Sequence, residues 1–193
     1  MTKKVFVYVN GIMTMPGSAK NWNRRAVTHT HLHTNARAES LEYLVGPLSR
    51  ALGQKKRANK LLKKILWYSG WDIVLVGHSN GADVICDTLR QLREPLVKEV
   101  HLFAPACEAD FQKNGLNECG VEKIRVYIAE KDKALKLASL KPARWLGYGT
   151  LGKTGPINVR EDLDVKTITR NFSHSEWWEK DEFNATMYEL LGK

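Results

Sequence analysis

The sequence predicts an α/β fold in three layers, with helices on both faces of a mainly parallel sheet of about five or six strands. Three observations predict it. Short runs rich in Val, Ile, Phe and Tyr alternate with longer amphipathic patterns, the order that a parallel sheet with crossover helices requires. Most of these runs end at Gly, Asn, Pro or an acid, the residues that break strands. The length of 193 residues with 43% apolar content suits one domain that buries roughly 70% of its unfolded surface. No repeat, low-complexity tract or linker divides the chain, so residues 1–193 are expected to form a single domain.

In chain order, the first strand is expected over Lys4–Val9, ended by Asn10-Gly11, a favoured turn pair. A helical pattern follows over about Glu39–Leu52, which Gly46-Pro47 should kink or split, and another over Lys55–Tyr68. Ile73–Val76 reads as a strand, Ala82–Leu92 as a helix, and Glu99–Phe103, Lys123–Ile128 and Val165–Thr169 as further strands. A helix over Glu176–Leu191 closes the chain. In such a sheet, sites form at the C-terminal strand ends.

The three cysteines, Cys86, Cys107 and Cys119, are odd in number and lack CxxC spacing, so reduced thiols in a cytoplasm are expected. Val5–Val9 is too short for a signal-peptide core, and no stretch approaches the ~20 apolar residues of a membrane span. A soluble, unprocessed protein is the expectation.

Much of the net charge of +9 is local. Arg50, Lys55, Lys56, Arg57, Lys60, Lys63 and Lys64 occur with no intervening acid, while Ala58, Leu61, Leu62, Ile65 and Leu66 repeat with helical spacing. The basic residues therefore share the opposite face of an amphipathic helix. A solvated face is the simpler reading, and weak contact with an anionic surface through Arg50–Lys64 is the alternative. RNP-like motifs, zinc-finger spacing and interleaved aromatics are missing, so no specific nucleic-acid partner is expected.

The stretch "WDIVLVGHSNGADVICDTL", Trp71–Leu89, carries the chemistry. If Ile73–Val76 is a strand and Ala82 opens a helix, only Gly77–Gly81 reverses the chain. So tight a turn strains its apex residue and brings backbone close on both sides, which glycine at each flank relieves. Ser79 at the apex then projects a hydroxyl at a helix N-terminus, whose free N–H groups favour developing negative charge.

In this strand–turn–helix setting the GHSNG pentapeptide resembles the nucleophile elbow of the α/β-hydrolase family. The resemblance spans most of the chain in a short form, and implies a compact α/β-hydrolase-like sandwich without the early antiparallel strands of larger members. It also implies a triad in the order Ser, acid, His. Asp132, just beyond the Lys123–Ile128 strand, stands where the acid belongs; Glu130, Glu108 and Asp110 are competitors. His174, beyond the last strand, matches the base, and is the only one of the six histidines that follows Asp132. The oxyanion hole would use the backbone N–H groups of Asn80 and Ile12, with Asn10 in place of the family's usual histidine. His78 would fill the elbow beside the nucleophile.

Two further segments bear on the site. In "THTHLHT" the histidines His29, His31 and His33 alternate and would share one face of a strand or extended connection; pocket lining or plain structure is preferred to a zinc site. The Gly-rich segment around 141–160 is expected to form a lid or pocket loop. Candidate substrate-pocket residues are Asn10, His78, Trp145, Tyr148 and Trp177. The resemblance implies a serine carboxylester hydrolase of the esterase or lipase kind acting on a small-molecule or lipid-like ester, with no cofactor and no metal. Thioesterase or acyltransferase chemistry and a non-catalytic binding module are the alternatives.

Overall fold

The computed structural model describes residues 3–12, 21–46, 52–138 and 148–193. In chain order its elements are β1 (Lys4–Val9), α1 (Trp22–His33), β2 (Arg37–Leu41), α2 (Gln54–Trp67), β3 (Asp72–His78) and α3 (Asn80–Leu89). They continue with β4 (Val97–Phe103), α4 (Phe111–Asn114), β5 (Lys123–Ala129), α5 (Lys133–Ala138) and α6 (Leu151–Thr154). β6 (Asp164–Arg170), a 3₁₀ turn (Glu176–Trp178) and α7 (Lys180–Leu191) end the chain. The six strands form one sheet in the order β2-β1-β3-β4-β5-β6, with every neighbouring pair parallel.

The period of two along the central strands builds both faces of the core. Val5, Val7 and Val9 of β1 and Ile73 and Leu75 of β3 face one side, against Leu61 and Ile65 of α2 and Ile85 and Leu89 of α3. Phe6, Tyr8, Val74 and Val76 face the other, against Trp22 and Ala26 of α1 and Phe183 and Met187 of α7. Strands buried on both faces must be apolar at every position, which is why β1 and β3 read as continuous runs. Each fully buried Leu or Ile contributes roughly 1.5–3 kcal/mol of transfer free energy to this arrangement.

After β2 the chain crosses back to add β3 on the opposite side of β1, so strand order reverses between β1 and β3. That reversal leaves a crevice at the C-terminal strand ends, where α/β folds place their ligands.

The expected strands are all present, β3 to β6 each extended by one to three residues. Three expectations are corrected. The helix expected over 39–52 is absent from its described first part, where β2 occupies Arg37–Leu41 and residues 42–46 are irregular, while 47–51 lie outside the described residues. Pairing along β1, from Val5 with Arg37 to Val9 with Leu41, outweighs the helical pattern. The histidine segment is not extended: it belongs to α1, capped by Asn21, whose side chain accepts from the Asn23 N–H at 3.0 Å. Its buried Trp22, Ala26, His29 and Thr30 recur at helical spacing. The terminal helix is also broken, because Glu179 is extended between the 3₁₀ turn and α7.

Among the described residues no helix is long and apolar enough to cross a membrane, and the three cysteines are free and buried.

Candidate active site

β3 carries Gly77 and His78 to the edge of the crevice, and α3 begins one residue later. Ser79 between them has φ 54° and ψ −119°, a conformation that L-residues avoid. Both glycines are required by close approach. A Cβ on Gly77 would lie 2.7 Å from Ile85 Cδ1 and 2.9 Å from the Ala82 nitrogen, and one on Gly81 would lie 2.2 Å from the Val9 carbonyl oxygen. The turn is held from β4: the Ser79 N–H donates to the Phe103 carbonyl at 2.9 Å, and the Ser79 carbonyl accepts from Ala82 and Ala106 at 3.1 and 3.2 Å. Ser79 is buried.

The loops after β5 and β6 are zipped together, Glu130 N–H to Arg170 O and Lys131 N–H to Phe172 O, each at 3.0 Å. This continuation of the sheet pairing brings His174 to Asp132: Nδ1 lies 2.5 Å from Oδ2 of the buried carboxylate. Oδ1 of Asp132 accepts from the Leu135 N–H at 2.8 Å, so both carboxylate oxygens are fixed. A carboxylate on Nδ1 selects the tautomer that leaves Nε2 as proton acceptor. The competing acids are engaged elsewhere or turned to solvent. Glu108 accepts from Ala109 N–H at 2.9 Å, Asp110 caps α4 and bonds Asn158, and Glu130 is exposed.

His78 joins the elbow to this loop, its Nε2 lying 2.9 Å from the His174 carbonyl oxygen. Its ring is 4.8 Å from that of His174 and meets Trp22 and Trp178 edge-on, at 6.1 and 6.3 Å. Burial, reinforced by the nearby His174 imidazole, pushes its pKa down to about 3. His78 is therefore a neutral imidazole whose Nε2–H donates to the carbonyl.

On the other side of Ser79 lies the loop after β1, where a Cβ on Gly11 would be 3.1 Å from Ser79 Cβ. Ile12, on this loop, is half-buried, and Asn80 occupies the first position of α3, where a helix leaves its backbone N–H groups without intrahelical partners. Asn10 does not face a pocket: it is fully buried, its amide donating to the Tyr43 carbonyl at 2.8 Å and accepting from the Tyr43 N–H at 3.2 Å. The Tyr43 hydroxyl donates to the Asn10 carbonyl at 2.5 Å and accepts from the Asn80 side chain at 3.2 Å. Tyr43 thus ties the β1 loop to the start of α3. It escapes a sequence reading because its stretch has a helical pattern, and no local signal points to a partner 33 residues away.

Trp177 is also removed from the pocket set. It is 1% exposed and packs edge-on against Phe103, Tyr127 and Phe172, so it belongs to the core. Trp145 and the first part of the 141–160 segment lie outside the described residues; Tyr148 packs beside Ala104, Ala106, Ala129 and Leu135. A cleft of about 330 Å³ opens on the acid's side, lined by Asp132, Ile128, Glu130, Lys136, Lys153 and Thr169 among others, and its lining does not include Ser79 or His174. The histidines of α1 do not share one face: His29 and His33, one turn apart, pack at 4.2 Å, while His31 turns away and accepts from the Ala38 N–H at 3.1 Å. Among the described residues no group of three or more His, Cys, Asp or Glu side chains could hold a metal ion.

Solved structures with this architecture are numerous. A structure described as a predicted CIB-like hydrolase from Thermoplasma acidophilum superposes with a TM-score of 0.61 at 15% identity, over 100% of this chain and 88% of that one. Alpha/beta hydrolase domain-containing protein 10 from mouse gives 0.62 at 13% identity, over 97% and 88%. A cutinase-like protein from Cryptococcus sp. gives 0.54 at 12%, over 98% and 93%. At such identities these likenesses establish the fold alone. A search of curated proteins finds no significant sequence match. The model of one family, described as "Alpha/beta hydrolase of unknown function (DUF900)", matches residues 36–187, and the chain belongs to that family.

Proposed function

We propose that the protein is a serine hydrolase that cleaves carboxylic esters through an acyl-enzyme on Ser79. The observation that carries this reading is the Asp132–His174 contact at 2.5 Å, on a loop that His78 ties to the strained turn bearing Ser79. A buried carboxylate on an imidazole, with a serine at a helix N-terminus on the turn tied to that loop, supplies the parts that make a weak hydroxyl nucleophilic once imidazole and hydroxyl meet.

In the proposed reaction His174 Nε2 takes the Ser79 proton as Oγ attacks the ester carbonyl carbon. The resulting oxyanion is met by the backbone N–H groups of Asn80 and Ile12. Collapse of the intermediate breaks the carbonyl–alkoxy bond, and the imidazolium gives its proton to the departing alcohol. Water, deprotonated by the same imidazole, then releases the acid and restores Ser79. Asp132 holds the tautomer and stabilises the imidazolium throughout. Three free, buried cysteines go with a reducing compartment, and a cytoplasmic location is part of the proposal.

Labelling with a fluorophosphonate tests the nucleophile. One equivalent of adduct at Ser79 is expected, absent in Ser79→Ala and greatly slowed in His174→Ala. Rapid labelling of His174→Ala would remove His174 as the base, and hydrolysis by Ser79→Ala at the parent rate would end the proposal. A panel of oxygen esters and thioesters of graded acyl length separates ester from thioester preference, and a non-catalytic module would turn over none of them.

A further inference from the structure

The exposed face of α2 combines two features that a helix turned only to water does not need. No acid occurs between Glu42 and Asp72, and Lys55, Lys56, Lys60 and Lys63 of α2 are exposed and form no ion pair among the described residues. Large apolar side chains stand among them: Trp67 is 81% exposed, Leu52 74% and Leu66 52%. At 3.6 residues per turn Lys55, Lys56, Lys60, Lys63, Leu66 and Trp67 fall within an arc of roughly 140°, centred opposite the buried Ala58, Leu61 and Ile65, and Leu52 lies just before the helix starts.

The other charges of the helix are already used. Lys64 pairs with Glu39 at 2.6 Å, and Arg57 is buried, donating to the Leu52 carbonyl at 2.9 Å and to Gln54 at 3.0 Å. Gln54 meets Asp83 of α3 at 3.3 Å at the end of the helix nearest the Ser79 turn. Arg57 thus leaves the basic face that its sequence position implies, and Leu66 joins that face instead of the core.

We propose that this face docks the protein on an anionic lipid bilayer. Ammonium groups interleaved with Trp and Leu match an interface in which headgroup phosphates lie a few ångströms above the acyl boundary: the lysines meet the phosphates while the apolar side chains leave water. A nucleic-acid backbone would satisfy the lysines but gives Leu52 and Leu66 nothing to enter. The surface stands apart from the chemistry proposed for Ser79, because none of its residues belongs to that site.

Co-sedimentation of the full chain with phosphatidylcholine vesicles, with and without phosphatidylglycerol, tests it. Binding is expected only to the vesicles with phosphatidylglycerol, falling as salt rises. The exposed double variant Lys60→Gln/Lys63→Gln should bind roughly thirtyfold more weakly, about fivefold per lysine. Trp67→Ala should bind several-fold more weakly with an unchanged salt slope, and Ser79→Ala should bind like the parent. Equal binding to both vesicle types, or full binding by both surface variants, would overturn the proposal. So would loss of binding in Ser79→Ala, which would locate the lipid at the candidate active site, or tighter binding to duplex DNA that Trp67→Ala leaves untouched.

Discussion

His78 donates from Nε2 to the backbone carbonyl of His174 at 2.9 Å, so the residue before the candidate nucleophile holds the loop of the candidate base. A carbonyl oxygen can only accept, so Nε2 carries the proton and the bond is available in either protonation state of the ring. Losing it should let the base drift. His78→Ala is expected to lower kcat for ester hydrolysis on the order of 10², with KM nearly unchanged, because small misplacements of a reacting group are costly. In His78→Gln the amide nitrogen reaches about as far as Nε2, and most of the activity should return. Parent-like kcat in His78→Ala would show that the loop holds His174 unaided.

The proposed reaction gives Asp132 the task of holding the His174 tautomer through its contact with Nδ1, and an amide in its place would present the wrong partner there. Asp132→Asn should therefore lose on the order of 10⁴ in kcat while its circular dichroism stays that of the parent. A modest loss, with a large one in Glu130→Gln instead, would move the acid.

The backbone at Ser79 stores strain that only glycine escapes. Such a conformation costs a side-chain-bearing residue roughly 1–3 kcal/mol. Ser79→Gly and Ser79→Ala both remove the hydroxyl, but only the first relieves the turn. After the greater chain entropy that glycine loses, Ser79→Gly should unfold at about 1 kcal/mol higher free energy than Ser79→Ala in urea titrations. Equal stability would mean that the turn relaxes in solution.

Burial lowers the pKa of both His78 and His101 below the ordinary histidine value. The unfolded chain then takes up protons near pH 6.5 that the folded chain refuses, so it binds more protons and stability falls as the pH drops. The loss starts at about 6.5 and, for His78, continues towards about 3. Between about pH 7 and about pH 5 His78 accounts for about 2 kcal/mol. His78→Gln should flatten the urea-unfolding profile by that amount, and an unchanged slope would refute the assignment.

How much could be read beforehand differs by element. β1 and β3 announce themselves because strands covered on both faces carry apolar residues almost throughout, and β4 and β5 keep enough Val, Ile, Leu and aromatic residues to be recognised. β2 could not be recognised in the same way. Its five residues lie at the sheet edge, with Ala38 and Leu41 buried and Arg37 exposed, and what makes them a strand is backbone pairing to β1. In α1 the alternation of His29, His31 and His33 imitates a strand, while the helical spacing of Trp22, Ala26 and Thr30 is diluted by polar neighbours.

The candidate site divides along the same line. Ser79 between its glycines is a local matter: a strand, a reversal and a helix within a dozen residues dictate where small residues must stand, and the order of the chain records it. Asp132 and His174 could be nominated by position, but their contact depends on pairing between the ends of β5 and β6. What the sequence by itself determined is the layered fold and the turn, because both follow from periodicity and short-range sterics. The bond from His78 to His174, the Tyr43 tether on Asn10 and the retreat of Trp177 into the core were decided only by tertiary structure, since each joins segments whose separation along the chain carries no signal of their meeting.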